Sequence, residues 1–411
     1  MSDFYSIAVY PFLFVALFFE VFLILTYFDA ESIRRRIRRT LTNFPTVSVI
    51  VPSYNEAKTV GATIRSLIEL DYPKQKLSLI LVDDGSHDET PAVLSEYAHL
   101  PYVTIVRKEN GGKHTALNEG IRVSTSEFVA CLDADSFVSK NALREILPHF
   151  DAENIGAVTS SMSISRPRLI LERIQQAEYL LGILLRHVLS TINGLHVTPG
   201  PFTVYRRSVF DSIGLFRPAH NTEDMEIALR MQKHGWHIQN APRARVYTKA
   251  PKTLRALLKQ RVRWTTGFIR NSVDYRDLYA NPKYGALGLL VLPLGALSII
   301  SGVTLFIVSL VEFSFHTWDI FVKTSSVPLS FLFRPPAFDL FFVPMNALIA
   351  LTSVAIIITV AFIIAGARIS KTRARLSPAL IWYVPLYGLI APLWLVRSIF
   401  DVVFNIRRAW R

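Results

Sequence analysis

The chain is nearly without cysteine. Cys131 is the only one among 411 residues, which excludes a disulfide framework and any metal site built from several thiolates. Acidic charge is also short, with 32 Asp and Glu against 45 Lys and Arg for a net +13, the balance of a protein that meets nucleic acid or an anionic membrane surface. No basic residue precedes the first apolar stretch, so that stretch is not a secretory signal, whose positive charge comes first. What the chain has in quantity is apolar character. A hydrophobic content of 51% and a mean hydropathy of +0.31 exclude a disordered chain and argue against a purely cytosolic enzyme. At about 150 residues per domain the length allows two or three units with a sizeable core.

The position of the positive charge decides between its two readings. Arg34, Arg35, Arg36, Arg38 and Arg39 form one cluster, Arg368, Lys371, Arg373 and Arg375 a second, and Arg407, Arg408 and Arg411 a third. Less Glu31, these account for eleven of the thirteen net charges. Each cluster abuts a long apolar run, so the basicity belongs to membrane topology, and no nucleic-acid partner is expected. The runs are Phe4 to Phe28, Ala286 to Val311, Leu340 to Ala367 and Ala379 to Phe404. At about 1.5 Å per residue each exceeds a hydrocarbon core of about 30 Å. The positive-inside rule places the N-terminus outside and residues 40 to 280 in the cytosol of a multi-pass plasma-membrane protein. Four crossings then return the C-terminus to the outside, against the pull of Arg407, Arg408 and Arg411. Either the last segment, interrupted by Pro385 and Pro392, is re-entrant, or the apolar part of the 312 to 338 connection also enters the membrane. Glu20 and Asp401 are ionisable residues inside the runs. Glu20 either marks a pathway or pairs with a polar group on another helix.

From Thr46 onward short β-branched runs alternate with amphipathic stretches. Strands are expected at Val47 to Val51, Leu77 to Val82, Val103 to Val106 and Phe128 to Leu132, and helices at Ala57 to Leu70, Glu89 to Ala98 and Thr115 to Val123. This is the pattern of a doubly wound α/β sheet, which binds ligands at the carboxyl ends of its strands. Those ends carry Pro52 to Glu56, Asp83 to Ser86, and Asp133, Ala134 and Asp135. Any one of them alone reads equally well as a turn or a helix cap. Three on consecutive strand ends point to a site. Asp133 and Asp135 lie on one side of an extended segment, and hard carboxylate oxygens suit Mg²⁺ or Mn²⁺ bridging to a diphosphate. Lys113, placed in a loop after Gly111 and Gly112, is either a solvated lysine or a point charge for phosphate.

Thr222, Glu223 and Asp224 precede an amphipathic helix. They read as a helix cap with acidic first-turn residues, or as the seat of a general base. Lys252 to Ile269 is a second amphipathic segment whose apolar side includes Leu254, Leu257, Leu258 and Val262, as expected of a helix lying on the inner leaflet. Gln260, Arg263 and Trp264 share one face of it. A guanidinium beside an indole suits a pyrophosphate next to a sugar ring, or a tryptophan at the membrane interface with snorkelling cations.

Taken in order, Pro52 to Glu56, Asp83 to Ser86, Asp133 to Asp135, Pro199 to Phe202, Thr222 to Asp224 and Gln260 to Trp264 resemble the membrane-embedded, processive family 2 glycosyltransferases. These include the cellulose, chitin, hyaluronan and poly-N-acetylglucosamine synthases. The resemblance covers roughly residues 45 to 270. It implies a GT-A-type mixed sheet domain over 40–250, a transmembrane helix over 1–30, interfacial helices over 251–284 and about three membrane segments over 285–411. It further implies that Tyr54, Glu56 and an aspartate of the Asp83–Asp84 pair hold the uridine of a UDP-sugar, that Lys113 contacts the donor, and that Asp133 and Asp135 bind the metal. Asp224 becomes the base that deprotonates the acceptor hydroxyl. Gln260, Arg263 and Trp264, with Glu223, grip the diphosphate and the acceptor sugar. The implied activity is inverting transfer to a growing β-linked polysaccharide, coupled to export.

Two departures accompany the resemblance. One helix precedes the domain where many relatives have two, and four helices are few to enclose a conduit, which leaves room for a homo-oligomer or an export partner. Control by a cyclic dinucleotide is not expected. Competing readings are a single transfer to a lipid acceptor, polyprenyl phosphate or diacylglycerol, and a transporter with a nucleotide-sensing domain.

Overall fold

The computed structural model describes residues 2–36, 41, 43–324, 347–372 and 379–406. Of the basic clusters, Arg38, Arg39, Arg373, Arg375, Arg407, Arg408 and Arg411 lie outside the described residues. The first long helix, α1, runs Ser2–Arg36. Strands β1 (Val47–Ser53), β2 (Leu77–Asp83), β3 (Val103–Arg107) and β4 (Phe128–Cys131) follow, alternating with helices α2 (Val60–Ile68), α3 (Thr90–Ser95) and α4 (Lys113–Val123). Beyond them come β5 (Phe137–Val138), α5 (Ala142–Ile146), β6 (Ile155–Ile164), α6 (Ile170–Thr191), β7 (Thr203–Arg206), α7 (Arg207–Ile213), α8 (Glu223–Lys233) and β8 (His237–Thr248).

The strands form one eight-stranded sheet in the order β3-β2-β1-β4-β7-β6-β8-β5. β1 to β4 are mutually parallel, and β7 runs antiparallel to both β4 and β6, which makes the sheet mixed. Alternate residues of β1 and β2 serve opposite faces. Val49, Val51, Leu79 and Leu81 meet Ile64 and Leu67 of α2 and Leu143 of α5, while Ile50, Ile80 and Val82 meet Leu117 and Ile121 of α4. Helices cover both faces, and so the strands are apolar throughout.

The second of these cores does not end at the domain. It also contains Leu184, Val188 and Leu189 of α6, Leu23 of α1 and Phe362 of α11 (Ala347–Ile369). Helix α6, for which the sequence pattern gave no expectation, is thus the seam between the sheet and the apolar helices.

Among the described residues four helices are long and apolar enough to cross a membrane: Val9–Asp29, Leu287–Thr324, Ala347–Ile369 and Trp382–Val403. The second extends well past Val311, because α10 (Leu292–Thr324) continues through the amphipathic stretch from Glu312 to Lys323. The described helix therefore fills the first part of the supposed 312–338 connection, and 325–346 lie outside the described residues. Pro385 and Pro392 do not break the last segment. α12 (Ala379–Val403) is one continuous helix, because helices among apolar neighbours tolerate the lost backbone bonds. Glu20 takes the second of its two readings: Thr359 of α11 donates to its Oε1 at 3.0 Å. Asp401 pairs with Arg397 at 3.2 Å.

On helix α9 (Leu254–Asp274), Leu257, Leu258 and Val262 are covered by Leu386, Ile390 and Trp394 of α12, while Leu254 stays exposed, so much of that apolar side meets protein.

Candidate active site

The polar residues at the strand tips divide into two groups. In the first, the β1 and β2 tips lace to one another. The Ser86 hydroxyl accepts from the Asn55 amide at 3.0 Å, Asn55 Oδ1 accepts from the His87 amide at 2.9 Å, and Thr90 Oγ1 accepts from the Glu56 amide at 2.8 Å. The Tyr54 ring stands edge-on to His87. Asp83 accepts from the Ser86 amide at 3.0 Å and pairs with Arg107 at 3.3 Å. Asp84 accepts from Lys108 at 2.6 Å and from the amides of Gly111 and Gly112 at 3.1 and 2.9 Å. Both carboxylates are buried, and that of Asp84 shapes the turn leading into α4.

The second group gathers at the end of that turn. Lys113 is not in a loop but is the first residue of α4, because Gly112, with φ 89°, turns the chain directly into the helix. Its ammonium lies 2.6 Å from Asp133 and 3.0 Å from Glu223, joining the end of β4 to the start of α8. Gly200 makes the close approach possible, since a Cβ there would fall 2.5 Å from Lys113 Nζ and 3.0 Å from Asp133. Asp133 and Asp135 are not on an extended segment. The Ser136 amide bonds the Asp133 carbonyl at 3.0 Å and closes a turn around Ala134.

Electrostatics separates these carboxylates. Burial, then the charges of Asp133 and Glu56, push Asp135 up to about 6, the signature of carboxylates facing one another. Burial opposes charge on Lys113, yet Asp133, Glu223 and Asp224 outweigh it and hold the ammonium well above its usual range. Burial likewise opposes ionisation of Glu223, but Lys113, with help from Arg263, holds that carboxyl below its ordinary value. Asp224 moves the other way: burial, and then the negative Glu223 beside it, raise it to about 6.

The Gln260 to Trp264 face approaches from α9. Arg263 lies near enough to favour the charged forms of Glu223 and Asp224, and donates to the Asn221 carbonyl at 3.4 Å. Gln260 Oε1 is buried with no hydrogen-bond partner. Trp264 stacks against Arg261, whose guanidinium carbon is 4.3 Å from the ring centroid. Arg261 in turn pairs with Glu178 of α6 at 2.5 Å, and Tyr387 of α12 donates to the same carboxylate at 2.6 Å. The sequence reading missed Glu178, Arg261 and Tyr387. Only Arg261 carried a signal, as a second arginine within the Gln260 to Trp264 motif.

Asp133, paired with Lys113, and Asp135 carry the hard oxygen donors that a divalent cation takes. Among the described residues no group of three His, Cys, Asp or Glu is spaced to hold one. The chain thus offers oxygen ligands for part of the coordination sphere, as suits an ion shared with a diphosphate. Burial raises Asp135 most, and the smaller part due to the charges of Asp133 and Glu56 is what such a cation would offset.

The family model for glycosyl transferase family 2 matches residues 48–214. The poly-beta-1,6-N-acetyl-D-glucosamine synthase of Staphylococcus epidermidis is 32% identical over 250 residues, which is 60% of this chain and 60% of that protein. The synthase of the same name from Staphylococcus aureus (strain COL) is 30% identical over 296 residues, 69% of each chain. The match thus spans less than two thirds of the S. epidermidis protein. Among solved structures, the mannosyltransferase PcManGT from Pyrobaculum calidifontis, in complex with GDP-Man and Mn²⁺, aligns with a TM-score of 0.64 at 20% identity, covering 98% of this chain and 99% of that one. That likeness establishes a common fold.

Proposed function

The chain belongs to glycosyl transferase family 2, and from that premise we propose that it transfers an N-acetylhexosamine from a UDP-sugar, with inversion, onto the growing end of a β-linked polysaccharide at the plasma membrane. The catalytic domain faces the cytosol, and the four apolar helices cross the bilayer. That the two staphylococcal relatives are poly-beta-1,6-N-acetyl-D-glucosamine synthases supports the choice of sugar and polymer.

The observation that carries the chemistry is the opposite displacement of two adjacent carboxyls. A pair of titratable groups pushed apart by their surroundings marks an acid–base assignment. Glu223, clamped by Lys113 and held charged, is a poor proton acceptor and serves as an anchor. Asp224, raised toward neutrality, has the basicity to take the proton from an acceptor hydroxyl as that oxygen attacks the anomeric carbon. Attack from the side opposite the diphosphate inverts the configuration. Asp133 and Asp135 would hold Mg²⁺ or Mn²⁺, which when bound neutralises the diphosphate and eases its departure. Arg263 and Gln260 face that leaving group, Trp264 offers the acceptor sugar an apolar plane, and Tyr54, Glu56 and Asp83 line the nucleoside end, where Asp84 shapes the wall.

The test is incubation of the detergent-purified chain with Mn²⁺ or Mg²⁺ and a panel of radiolabelled UDP-sugars, followed by size separation. High-molecular-weight product from a UDP-N-acetylhexosamine supports the proposal. Label confined to a small lipid-soluble species overturns it in favour of single transfer to a lipid acceptor.

A further inference from the structure

Residues 219–221, immediately before the Glu223–Asp224 pair, adopt a backbone that their side chains disfavour. Ala219, His220 and Asn221 have φ of 35°, 56° and 64°, three consecutive left-handed residues without a glycine among them. Such a run persists only where the surroundings over-determine it.

The surroundings come from one stripe of α9. Arg263 donates to the Asn221 carbonyl at 3.4 Å, Asn271 Nδ2 donates to Thr222 Oγ1 at 2.8 Å, and Asp274 lies 2.9 Å from His220 Nε2. Between them sits Gly267. A Cβ on it would fall 2.3 Å from Thr222 Cγ2 and 2.4 Å from Oγ1, so Thr222 is seated against bare helix backbone. Residues 263, 267, 271 and 274 follow one another at four, four and three positions and therefore share a face.

The same contacts explain why Thr222 makes no side-chain cap on α8: its hydroxyl donates to the Ala219 carbonyl at 3.0 Å and accepts from Asn271. From the opposite side Thr198 holds the Asp224 carbonyl through both its amide, at 3.0 Å, and its hydroxyl, at 2.7 Å.

Resting on the reading of Asp224 as the base, we infer that Gly267 and Asn271 are positioning residues. They seat Thr222 and thereby fix the first turn of α8, so that the helix facing the leaving diphosphate also sets where the base stands. Neither touches the donor or the metal ligands. Their effect is carried through Thr222 to Asp224, and it is felt in the chemical step rather than in donor binding.

The experiment measures kcat, donor KM and UDP affinity for the full-length, detergent-purified chain and its variants. A misplacement of about 1 Å costs about 10²-fold in rate, so Gly267→Ala is expected to lose kcat on that scale while UDP affinity and donor KM stay within about twofold. Alanine is the better helix former, so the loss cannot come from α9 itself. Adding Thr222→Gly to Gly267→Ala removes the atoms that the new methyl meets, and is expected to restore about tenfold of the lost rate. Asn271→Ala, which removes a hydrogen bond without adding bulk, is expected to show the same split to a smaller degree and stands in should Gly267→Ala not fold.

Wild-type kcat in Gly267→Ala, or in Asn271→Ala, overturns the inference. So does a parallel loss of kcat and UDP affinity that Thr222→Gly leaves unrepaired. A wild-type chain that forms no product from any UDP-sugar overturns instead the reading of the site on which the inference rests.

Discussion

The sides of the site that we propose for donor and acceptor are built in different ways. On the donor side the ties are short in sequence: Asn55 to Ser86 spans 31 residues, Asp84 to Gly112 spans 28, and Asp84 to Lys108 spans 24. On the acceptor side Arg261 reaches Glu178 across 83 residues and Tyr387 reaches it across 209. The donor half is a set of loops fixed to one another above the sheet. The acceptor half is a junction of three helices, two of which touch the membrane region. A deletion on the donor side should therefore be felt in donor affinity, whereas one on the acceptor side should be felt in the whole fold and leave donor affinity unmoved.

The largest effect is expected where the halves meet. Asp224→Asn should lower kcat by about 10²–10⁴-fold, the usual worth of a general base, with UDP affinity nearly intact by titration. Loss of binding as well would move Asp224 into the donor half. Next comes Glu178→Ala, which leaves the buried Arg261 without its counter-charge. Complete burial makes such a loss about 3–5 kcal/mol, and the partly exposed Glu178 should give about 2 kcal/mol, seen as a lower melting temperature in detergent. Asp84→Ala is the matching donor-side cut. It leaves Lys108 without its carboxylate and orphans the amides of Gly111 and Gly112, so it should lower the melting temperature by the equivalent of about 1–3 kcal/mol and also raise donor KM about tenfold, and a matching rise of donor KM in Glu178→Ala would erase the contrast.

The pH dependence tests the junction again. Asp224 acts ionised and stands at about 6, so the rate is retained above that value and lost as pH falls through it. Between about pH 7 and pH 5 kcat should fall about tenfold. The smallest change is Tyr387→Phe, which removes one hydrogen bond to Glu178 and should cost about 1 kcal/mol of thermal stability, with donor KM unmoved.

The same contrast governs what could be read from the sequence. The parallel strands were legible because β-branched runs and the polar residues after them are local patterns, and the four apolar runs were legible by length. Lys113 was misplaced by two glycines that look like loop but serve as a helix entry. Asp133 to Asp135 was misread as extended because one hydrogen bond, invisible in spacing, closes its turn. Helix α6 passed unseen: its buried residues Tyr179, Leu180, Ile183, Leu184, Val188 and Leu189 are spread around the helix, so its apolar positions follow no single stripe. For α9 the amphipathic pattern was right but its packing on α12 was not legible, since periodicity reports that a face is covered without saying by what. Glu178 and Tyr387 carry no local signature at all, because each becomes polar glue only once the other helix has arrived.

The shared apolar core around α6 has a consequence for how the molecule comes apart. Leu184 and Val188 lie in one cluster with Ile50 of the sheet, Leu23 of α1 and Phe362 of α11, so no plane of weak contact separates a water-soluble half from a lipid-soluble one. Heating should therefore yield one calorimetric transition instead of two, and the thickness of the surrounding lipid or detergent belt, by shifting α1 and α11, becomes a variable to which the sugar-transfer centre answers.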